Sequence, residues 1–325
     1  MVFAKISGTG SAVPDKVFTN KDFEKIVDTS DEWIKSRTGI SERRIADKDV
    51  ATSDLALEAS VSAMEQAGIT ARELGAIIVA TVTPDYLFPS TACLVQSKLG
   101  AKSACAFDIG AGCSGFLYAL QVARNMVEAG DYKHILVIGA EIITRILDFE
   151  DRTTCVLFGD GAGAVVLSES DSPGVESIFL AADGDAWDML YVPGGGSKHP
   201  PSEQSIKDRL HYLKMNGKDV FKEAVKCMES ASLMAIEMAG LSTGDIDLFI
   251  PHQANYRILN AVRKRMGISE DRVYVNLDRY GNTSAASVPL ALDEAIRGGR
   301  LKEGDRALFC VFGAGFTWAA GVVRF

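Results

Sequence analysis

The sequence is poor in the residues that build metal sites and disulfide frameworks. It has six cysteines, with no Cys-x-x-Cys pair among them, and only four histidines. No histidine stands at a metal-ligand spacing from a cysteine or from another histidine. We therefore expect no zinc site, no disulfide framework and no bound cofactor.

Two further absences concern membranes and nucleic acids. Asp, Glu, Lys or Arg interrupts every apolar stretch before it reaches the length of a membrane-spanning helix. The formal net charge of −9 has the wrong sign for general affinity for nucleic acid or an anionic membrane. The opening MVFAKISGTGSAVPDKVFTN has the pattern of a strand and a turn and lacks the apolar core of a signal peptide. We expect a cytoplasmic protein that binds neither nucleic acid nor a membrane.

The length and composition of the chain are typical of a globular protein of two fused domains. The chain has 325 residues, of which 47% are hydrophobic and 24% charged. Thirty glycines indicate many tight turns or close backbone approaches. We expect an N-terminal half over residues 1–172 and a C-terminal half over residues 173–325.

The two halves resemble each other. Residues 102–140 and 272–314 share one order of features, which is an apolar strand, a glycine-containing turn, a helix and a second apolar strand. A shift of 170 positions brings them into register and sets Cys113 opposite Thr283.

The strands of this repeat are short apolar runs, as expected for sheets buried on both faces. The first strands of the two copies are expected over 104–109 and 273–277. Alternation with helices indicates right-handed crossovers and a mainly parallel sheet in each half. The predicted fold is α/β, a duplicated α/β/α/β/α body of five layers.

Three polar side chains follow strands at the points where helices begin. Cys113 lies in AGCSGF, His252 follows DLFIP, and Asn282 precedes TSAAS. Open α/β sheets build their sites at such junctions. Singly, each residue has a structural explanation: a buried thiol, a hydrogen-bonded histidine, and an asparagine at a helix N-terminus.

Taken together, the three residues favour a catalytic site. A helix N-terminus presents unpaired N–H groups and a partial positive charge, so we expect it to lower the pKa of Cys113. A thiolate with a histidine and an asparagine is a nucleophile with two hydrogen-bonding partners. The later turn FGAGF is a candidate source of a further backbone N–H for an oxyanion.

Other glycine-rich segments are weaker candidates. GTGSAVP lacks the third glycine of a dinucleotide fingerprint, and no P-loop lysine follows GDGAGA. We expect GDGAGA to form a tight turn between packed strands. The glycine- and proline-rich segment 183–216 is expected to be a long surface loop, either functional or merely mobile.

Six motifs resemble those of the β-ketoacyl-acyl carrier protein synthase III family. In chain order they are TSDEWIKSRTGI, AGCSGF, FGDGAGA, PHQANYRI, GNTSAASVP and FGAGFTW. The resemblance runs from Ile6 to Phe325. It implies the thiolase fold, a duplicated five-layer body usually paired as a homodimer, and it agrees with the repeat.

The resemblance also implies a two-step reaction. Cys113 takes an acyl group from acyl-coenzyme A, and malonyl-acyl carrier protein then enters and loses carbon dioxide. His252 and Asn282 hydrogen-bond the malonyl thioester oxygen and stabilise the enolate that attacks acyl-Cys113. The backbone N–H groups of Cys113 and Ala314 form the oxyanion hole. Many relatives have glycine at the position of Ala314, but the hole needs only a backbone amide.

Further contacts are implied by the same resemblance. Trp33 would stack on the adenine of coenzyme A, with Arg37 and Arg152 near its phosphates. Phe88 would reach across the dimer into the acyl pocket of the partner. Without the family, Trp33 is a half-buried helix residue and Phe88 a core residue at a turn.

The acyl carrier protein would be contacted by one short segment, made of Gln253, Ala254, Asn255, Tyr256 and Arg257. Residues 251–269 contain four basic side chains and no acidic one before position 270. Such a surface suits an acidic carrier, although an ordinary solvated helix face has the same composition.

Two alternatives stay open within this resemblance. One is a related synthase of secondary metabolism, of quinolone or polyketide type. The other is an inactive partner subunit that binds the carrier, against which the presence of Cys113, His252 and Asn282 counts. The length of the acyl primer is also open, because it depends on pocket depth near Phe88 and the 183–216 loop.

Overall fold

Two β-sheets with helices on their faces form the body of the protein. The computed structural model describes residues 2–325. Its strands are β1 Phe3–Ala12, β2 Val17–Thr19, β3 Glu42–Arg44, β4 Ala76–Ala80, β5 Cys105–Ile109, β6 His134–Glu141, β7 Gly161–Ser170, β8 Val175–Ala182, β9 Leu190–Tyr191, β10 Lys214–Met215, β11 Leu248–Pro251, β12 Arg306–Gly313 and β13 Thr317–Arg324. Its α-helices are α1 Asn20–Phe23, α2 Asp31–Thr38, α3 Thr52–Ala67, α4 Thr91–Leu99, α5 Gly115–Glu128, α6 Glu203–Lys207, α7 Gly217–Met238, α8 Tyr256–Arg265, α9 Leu277–Tyr280 and α10 Ser287–Arg297.

The main sheets have strand orders β1-β7-β6-β4-β5 and β8-β13-β12-β11. Strand β4 is parallel to β5 and β6, and β11 is parallel to β12. Strand β7 is antiparallel to β1 and β6, and β13 is antiparallel to β8 and β12. The expectation of mainly parallel sheets is therefore wrong. Neither β7 nor β13 is reached through an α-helical crossover, so each returns antiparallel beside the strand before it.

Five layers stack through the molecule, which confirms the predicted fold. Helices α3 and α4 cover the outer face of the first sheet, and α7 and α8 cover the outer face of the second. Helices α5 and α10 lie between the sheets, where the inner faces of both contribute to one core. Strand β4 is buried on both faces, in accord with its unbroken apolar sequence.

Helix α5 shows how the core fixes the segment after Cys113. Phe116, Leu117, Leu120 and Val127 are fully buried, as the sequence predicts. Burying side chains of this size contributes roughly 1.5–3 kcal/mol each, so the start of α5 is firmly held. The thiol therefore lies directly before a firmly held helix.

The register of the repeat is 172 residues, not 170. Strand β1 begins at residue 3 and β8 at 175, while α5 begins at 115 and α10 at 287. Both pairs differ by 172, as do the starts of β4 and β11 and of β6 and β12. Cys113 is thus equivalent to Ala285. The positive φ angles of Gly112 (53°) and Ser284 (51°) coincide in this register.

The strand predicted over 273–277 is not formed. Val273 makes a single parallel bridge to Phe249, and the chain then enters α9. The side chain of Gln253 takes over the next backbone bonds: its Nε2 donates to Tyr274 O at 3.1 Å, and its Oε1 accepts from Asn276 N at 3.1 Å. A glutamine amide therefore replaces the strand pairing at this edge.

GDGAGA is also not a turn. Gly161–Ala164 are the first residues of β7, paired with both β1 and β6. A Cβ on Gly163 would lie 2.5 Å from Leu290 N, so the glycine allows α10 to approach the sheet.

The segment 183–216 folds back over the end of the second sheet. It contains the short antiparallel pair β9–β10 and helix α6. Leu190 and Leu213 are buried, so the segment is anchored by apolar contacts rather than being a bare surface loop. Across residues 2–325, no helix combines the length and apolarity required to cross a membrane.

Candidate active site

Cys113 lies in a short 3-10 turn, Gly112–Ser114, between β5 and α5. Gly112 has φ of 53°, a left-handed conformation that glycine adopts without strain. The side chain of Cys113 is 7% exposed. The sequence prediction of a thiol at a strand-to-helix junction is therefore confirmed for its position in the fold.

His252 directly follows β11 and is buried. Its backbone N–H donates to Cys310 O at 2.7 Å, and its Nδ1 lies 2.6 Å from the hydroxyl of Ser287. These contacts leave Nε2 as the ring nitrogen available to a ligand. Burial lowers the pKa of His252 to about 4, so the imidazole is neutral at neutral pH.

Asn282 is fixed by one backbone hydrogen bond and one side-chain hydrogen bond. Its backbone N–H donates to Leu157 O at 2.8 Å, and its Oδ1 accepts from Ser284 N at 2.8 Å. The side chain thus does cap the turn before α10, as the structural interpretation expects. Because the oxygen is occupied by Ser284, the Nδ2 donor is left for a ligand.

One pocket, which we call the thiol pocket, is lined by Cys113, His252 and Asn282 together. The rest of its lining is mostly apolar and includes Phe158, Leu190, Met215, Phe221, Ile258 and Phe312. The residues come from both halves of the chain, including the 183–216 segment and helix α7. The thiol pocket is therefore an apolar site with a few convergent polar groups, the usual form of a small-molecule site.

A second cavity, the side cavity, also reaches Cys113. It shares Phe158 and Leu190 with the thiol pocket and adds the apolar side chains of Val82, Ile143, Ile146, Trp187, Val192 and Leu213. Cys113 is thus approached from two directions.

The expected lowering of the thiol pKa is wrong for the free protein. Burial raises the pKa of Cys113 to about 12, and the nearby carboxylate of Glu141 raises it further, while the Ser284 hydroxyl lowers it. Desolvation therefore raises the pKa of the thiol by more than the helix N-terminus lowers it. The resting pair is therefore a neutral thiol and a neutral imidazole.

Two backbone N–H groups meet beside the thiol, those of Cys113 and Ala314. A Cβ on Gly313 would lie 2.6 Å from Cys113 N, and one on Gly112 would lie 2.8 Å from Ala314 N. Among the described residues, neither N–H donates to a backbone acceptor. Glycines at 112 and 313 bring the strand end and the thiol turn together, as two donors for one oxyanion require.

Trp33 and Arg152 lie together at the surface. The Arg152 guanidinium carbon is 5.3 Å from the centroid of the half-buried Trp33 ring. Arg37 is exposed on the same helix, α2, and its carbonyl accepts from Asn255 Nδ2 at 3.1 Å. These contacts link α2 to the segment that begins α8, next to the thiol pocket, which Asn255 also lines.

Phe88 is 86% exposed and stands beside the similarly exposed Leu87 (84%). It is therefore not a core residue of the single chain. Such an apolar loop tip is typical of a segment that is covered by another molecule.

Gln253 does not lie on the surface expected to contact a carrier protein. It is 1% exposed, and its amide is bonded to Pro251, Tyr274 and Asn276. Its side chain instead shapes the chain after β11, and a carrier contact for this residue stays a prediction.

The remaining members of that segment are partly or fully accessible. Ala254 and Asn255 are half-buried and line the thiol pocket, and Tyr256 donates to Glu270 at 2.9 Å. Arg257 is exposed, with its guanidinium carbon 5.7 Å from the ring centroid of Phe221.

Sequence reasoning missed three polar residues around the site: Glu141, Ser284 and Ser287. Ser287 contacts His252, Ser284 contacts Asn282, and Glu141 contacts Ser284 at 3.0 Å. The one visible signal was an acid at the end of the otherwise apolar run HILVIGAE. The serines were hidden in GNTSAAS, where small residues also suit a helix start.

A buried thiol at a strand-to-helix turn, an imidazole and a carboxamide in one pocket, and a duplicated five-layer body define a thiolase-fold condensing enzyme. Comparison with known proteins narrows this class. The model of the family described as 3-oxoacyl-(acyl-carrier-protein) synthase III matches residues 107–184, and that of its C-terminal part matches residues 236–325.

Individual relatives agree over the full length. The chain is 56% identical over 324 residues to a β-ketoacyl-(acyl-carrier-protein) synthase III of Caldanaerobacter subterraneus, covering 99% of this chain and 98% of that one. The crystal structure of 3-oxoacyl-(acyl-carrier-protein) synthase III from Aquifex aeolicus has a TM-score of 0.92 at 46% identity, covering 99% and 100%. The priming β-ketosynthase of the R1128 polyketide pathway has a TM-score of 0.93 at 38% identity, covering 99% and 96%.

The chain belongs to the β-ketoacyl-acyl carrier protein synthase III family. It is an acyltransferase, a condensing enzyme that initiates fatty acid biosynthesis.

Proposed function

We propose that the chain transfers an acyl group from acyl-coenzyme A to Cys113 and condenses it with malonyl-acyl carrier protein. The products are a 3-oxoacyl-acyl carrier protein, carbon dioxide and free coenzyme A. The observation that carries this proposal is the convergence of Cys113, His252 and Asn282 on the thiol pocket. No metal and no further cofactor are needed for either step.

The first half-reaction loads the nucleophile. The Cys113 sulfur attacks the thioester carbonyl of acyl-coenzyme A while its proton passes to His252 Nε2, since both groups are neutral at rest. The oxyanion is stabilised by the N–H groups of Cys113 and Ala314. The bond to the coenzyme A sulfur then breaks, and the departing thiolate takes the proton.

The second half-reaction forms the carbon–carbon bond. The bond from the malonyl methylene to its carboxylate breaks, and the electron pair moves into an enolate. Nε2–H of His252 and Nδ2–H of Asn282 stabilise the enolate oxygen. The enolate carbon attacks the acyl-Cys113 carbonyl, and the sulfur leaves as a thiolate as the ketone forms. This thiolate takes up one proton from solvent, which restores the resting thiol. Ser287 serves both steps, because its hydroxyl either accepts from or donates to Nδ1.

Coenzyme A would be held outside the thiol pocket by Trp33, Arg37 and Arg152. Their support is the contact of Arg152 with the Trp33 ring and the link from Arg37 to Asn255 at the pocket wall. An indole face suits adenine, and guanidinium groups suit phosphates.

The acyl carrier protein would dock on Ala254, Asn255, Tyr256 and Arg257. This segment adjoins the thiol pocket, so a phosphopantetheine arm entering there would reach Cys113. Of the basic residues that follow, Arg263 pairs with Glu270 at 2.9 Å and Arg265 with Glu229 at 2.7 Å. Lys264 is exposed as well, but of these basic side chains only Arg257 lies within the docking segment, so it is the main candidate for the carrier's acidic surface.

The enzyme would act as a cytoplasmic homodimer. Support comes from the exposed Leu87 and Phe88, which need an apolar partner surface. The side cavity would hold the primer's acyl chain, with Phe88 of the partner subunit closing it. Its apolar lining suits an acetyl group or another short acyl group.

A priming condensation in polyketide synthesis is the second candidate. The R1128 priming β-ketosynthase matches the fold at a TM-score of 0.93. Its identity of 38% is below the 56% of the Caldanaerobacter relative, so fatty acid initiation is favoured.

The test is to incubate the protein with labelled acetyl-coenzyme A and other short acyl-coenzyme A primers and to map the modified residue. We expect acyl-Cys113, its loss in C113A, its persistence in C155A, and a 3-oxoacyl product after addition of malonyl-acyl carrier protein. Cys155 is also a buried thiol, and it does not line the thiol pocket. Absence of an adduct with every primer would favour an inactive subunit that binds the carrier.

A further inference from the structure

Glu141 is a fully buried carboxylate that the two half-reactions do not use. It ends β6 and is 0% exposed. It accepts hydrogen bonds from Thr81 Oγ1 (3.1 Å), Thr83 Oγ1 (2.5 Å) and the backbone N–H groups of Val82 and Thr83 (both 3.1 Å). A further bond comes from the hydroxyl of Ser284, at 3.0 Å.

A carboxylate in this position needs an explanation beyond packing. Burying a charge is costly unless several hydrogen bonds compensate it, and an apolar side chain would fill the same space more cheaply. Here burial raises the pKa of Glu141 to about 7, while its hydroxyl and backbone donors lower it. Five donors converge on one side chain, so the site is built to hold its oxygens in place.

The link from Glu141 to the thiol pocket runs through Ser284. Ser284 has φ of 51°, a left-handed conformation that is strained for a non-glycine residue. Its hydroxyl donates to Glu141, and its backbone N–H donates to Asn282 Oδ1 at 2.8 Å. The carboxylate therefore secures the one peptide unit that fixes the orientation of the Asn282 amide.

We propose that Glu141 is a positioning residue for the condensation step, acting through Ser284 to aim Asn282 Nδ2 at the malonyl thioester oxygen. This inference rests on the proposed function of Asn282. It also distinguishes the two half-reactions, because acyl transfer to Cys113 uses the oxyanion hole and His252 but not the Asn282 amide. Loss of Glu141 should damage decarboxylation and leave loading largely intact.

The hydrogen bonds of Glu141 form two arms, one to Ser284 and one to residues 81–83, and the test must distinguish them. The bonds of Glu141 to Thr81, Val82 and Thr83 hold a segment whose Val82 lines the side cavity. E141Q disturbs both arms, because an amide presents donors where the backbone N–H groups need acceptors. S284A cuts the arm toward Asn282 and leaves the bonds to residues 81–83 in place, so it tests the proposal even if E141Q fails to fold. Because the Ser284 hydroxyl also bonds the Cys113 thiol, the readout is the ratio of the two rates.

The experiment measures each half-reaction alone in the full-length enzyme. Loading is the rate at which labelled acetyl-coenzyme A acylates Cys113, and decarboxylation is carbon dioxide release from malonyl-acyl carrier protein. For E141Q and S284A we expect the ratio of decarboxylation to loading to fall about tenfold or more. Loading itself slows in S284A, because the hydroxyl that is lost lowers the pKa of the Cys113 thiol. The double variant should be no worse than the worse single variant, because both residues act in one chain of contacts.

D293N is the matched control. Asp293 is 2% exposed and accepts from Thr9 and Ser11 at 2.7 and 2.6 Å, but it contacts neither Ser284 nor Asn282. Its substitution should leave the ratio of the two rates at the wild-type value. An unchanged ratio of the two rates in S284A, whether both rates fall equally or neither falls, overturns the role of Glu141. A wild-type enzyme that neither loads nor decarboxylates would instead overturn the proposed function.

Discussion

Ser287 Oγ lies 2.6 Å from Nδ1 of His252, and both side chains are buried. A second bond, from the His252 backbone N–H to Cys310 O at 2.7 Å, fixes the same residue from the strand side. The serine therefore fixes the plane of the imidazole, and its hydroxyl pairs with either neutral tautomer. When the hydroxyl donates to Nδ1, the hydrogen is on Nε2, where the thioester oxygen would accept it.

S287A should lower kcat about tenfold or more with little change in KM, because a mispositioned imidazole affects the transition states of both half-reactions more than it affects substrate binding. Steady-state assay of the complete condensation gives both constants. S60A is the matched control, since Ser60 is a buried serine in α3 that bonds only within its helix. A wild-type kcat in S287A would mean that Ser287 does not govern the imidazole.

Gly313 is required by the approach of β12 to the thiol turn. Its added Cβ would lie 2.6 Å from Cys113 N and 3.0 Å from Ser114 N, so G313A must push the backbone of the oxyanion hole apart. We expect a fall of about 100-fold or more in kcat, as for loss of an oxyanion donor, and a destabilisation of about 1–3 kcal/mol.

Rate assays and thermal unfolding check the Gly313 prediction together. G244A is the control, because the atom nearest to its added Cβ is Ser242 Oγ at 3.5 Å, an ordinary contact. If G313A kept wild-type activity, the N–H groups of Cys113 and Ala314 would not form the hole.

Much of this site was readable from the sequence, because its three main residues follow strands and precede helices. The alternation of apolar runs with helical segments predicted both the layers and the junctions at Cys113, His252 and Asn282. The register of the repeat is 172 residues rather than the predicted 170, and the strand expected before α9 is replaced by the Gln253 amide. Local patterns do not reveal such long-range substitutions of side chain for backbone.

Burial was the second quantity that local sequence did not reveal. The segment AGCSGF identifies a thiol beside a helix start, but the pKa of that thiol depends on how far both sheets desolvate it. Glu141 was missed for the same reason. Its partners Thr81 and Thr83 reach it across the first sheet, where β4 pairs with β6, and Ser284 reaches it only when the two halves pack.

The raised pKa of Cys113 predicts a specific pH dependence. Since burial raises the pKa to about 12, the thiolate fraction at any pH below this value is smaller than that of an ordinary thiol with pKa about 8.5. The rate of Cys113 alkylation by iodoacetamide in the free enzyme should therefore keep rising from about pH 7 to about pH 10 without a plateau.

Mass spectrometry of Cys113 itself is needed for this measurement, because Cys93 is exposed and reacts as well. The denatured protein is the control, and its cysteines should titrate as ordinary thiols. A midpoint for native Cys113 at or below about 8.5 would restore the effect of the helix start as the dominant one.

Arg257 provides the test of carrier docking. It is exposed at the start of α8, and its guanidinium carbon is 5.7 Å from the ring centroid of Phe221, which lines the thiol pocket. R257E places an acid against the acidic carrier, so KM for malonyl-acyl carrier protein should rise about tenfold. KM for acyl-coenzyme A should not change, and the effect should weaken as added salt screens the charges. K302E makes the same charge change at an exposed lysine outside this segment and should leave both constants at their wild-type values. An unchanged KM for the carrier substrate in R257E would exclude Arg257 from the docking surface, because a charge reversal at a true contact cannot be silent at low ionic strength.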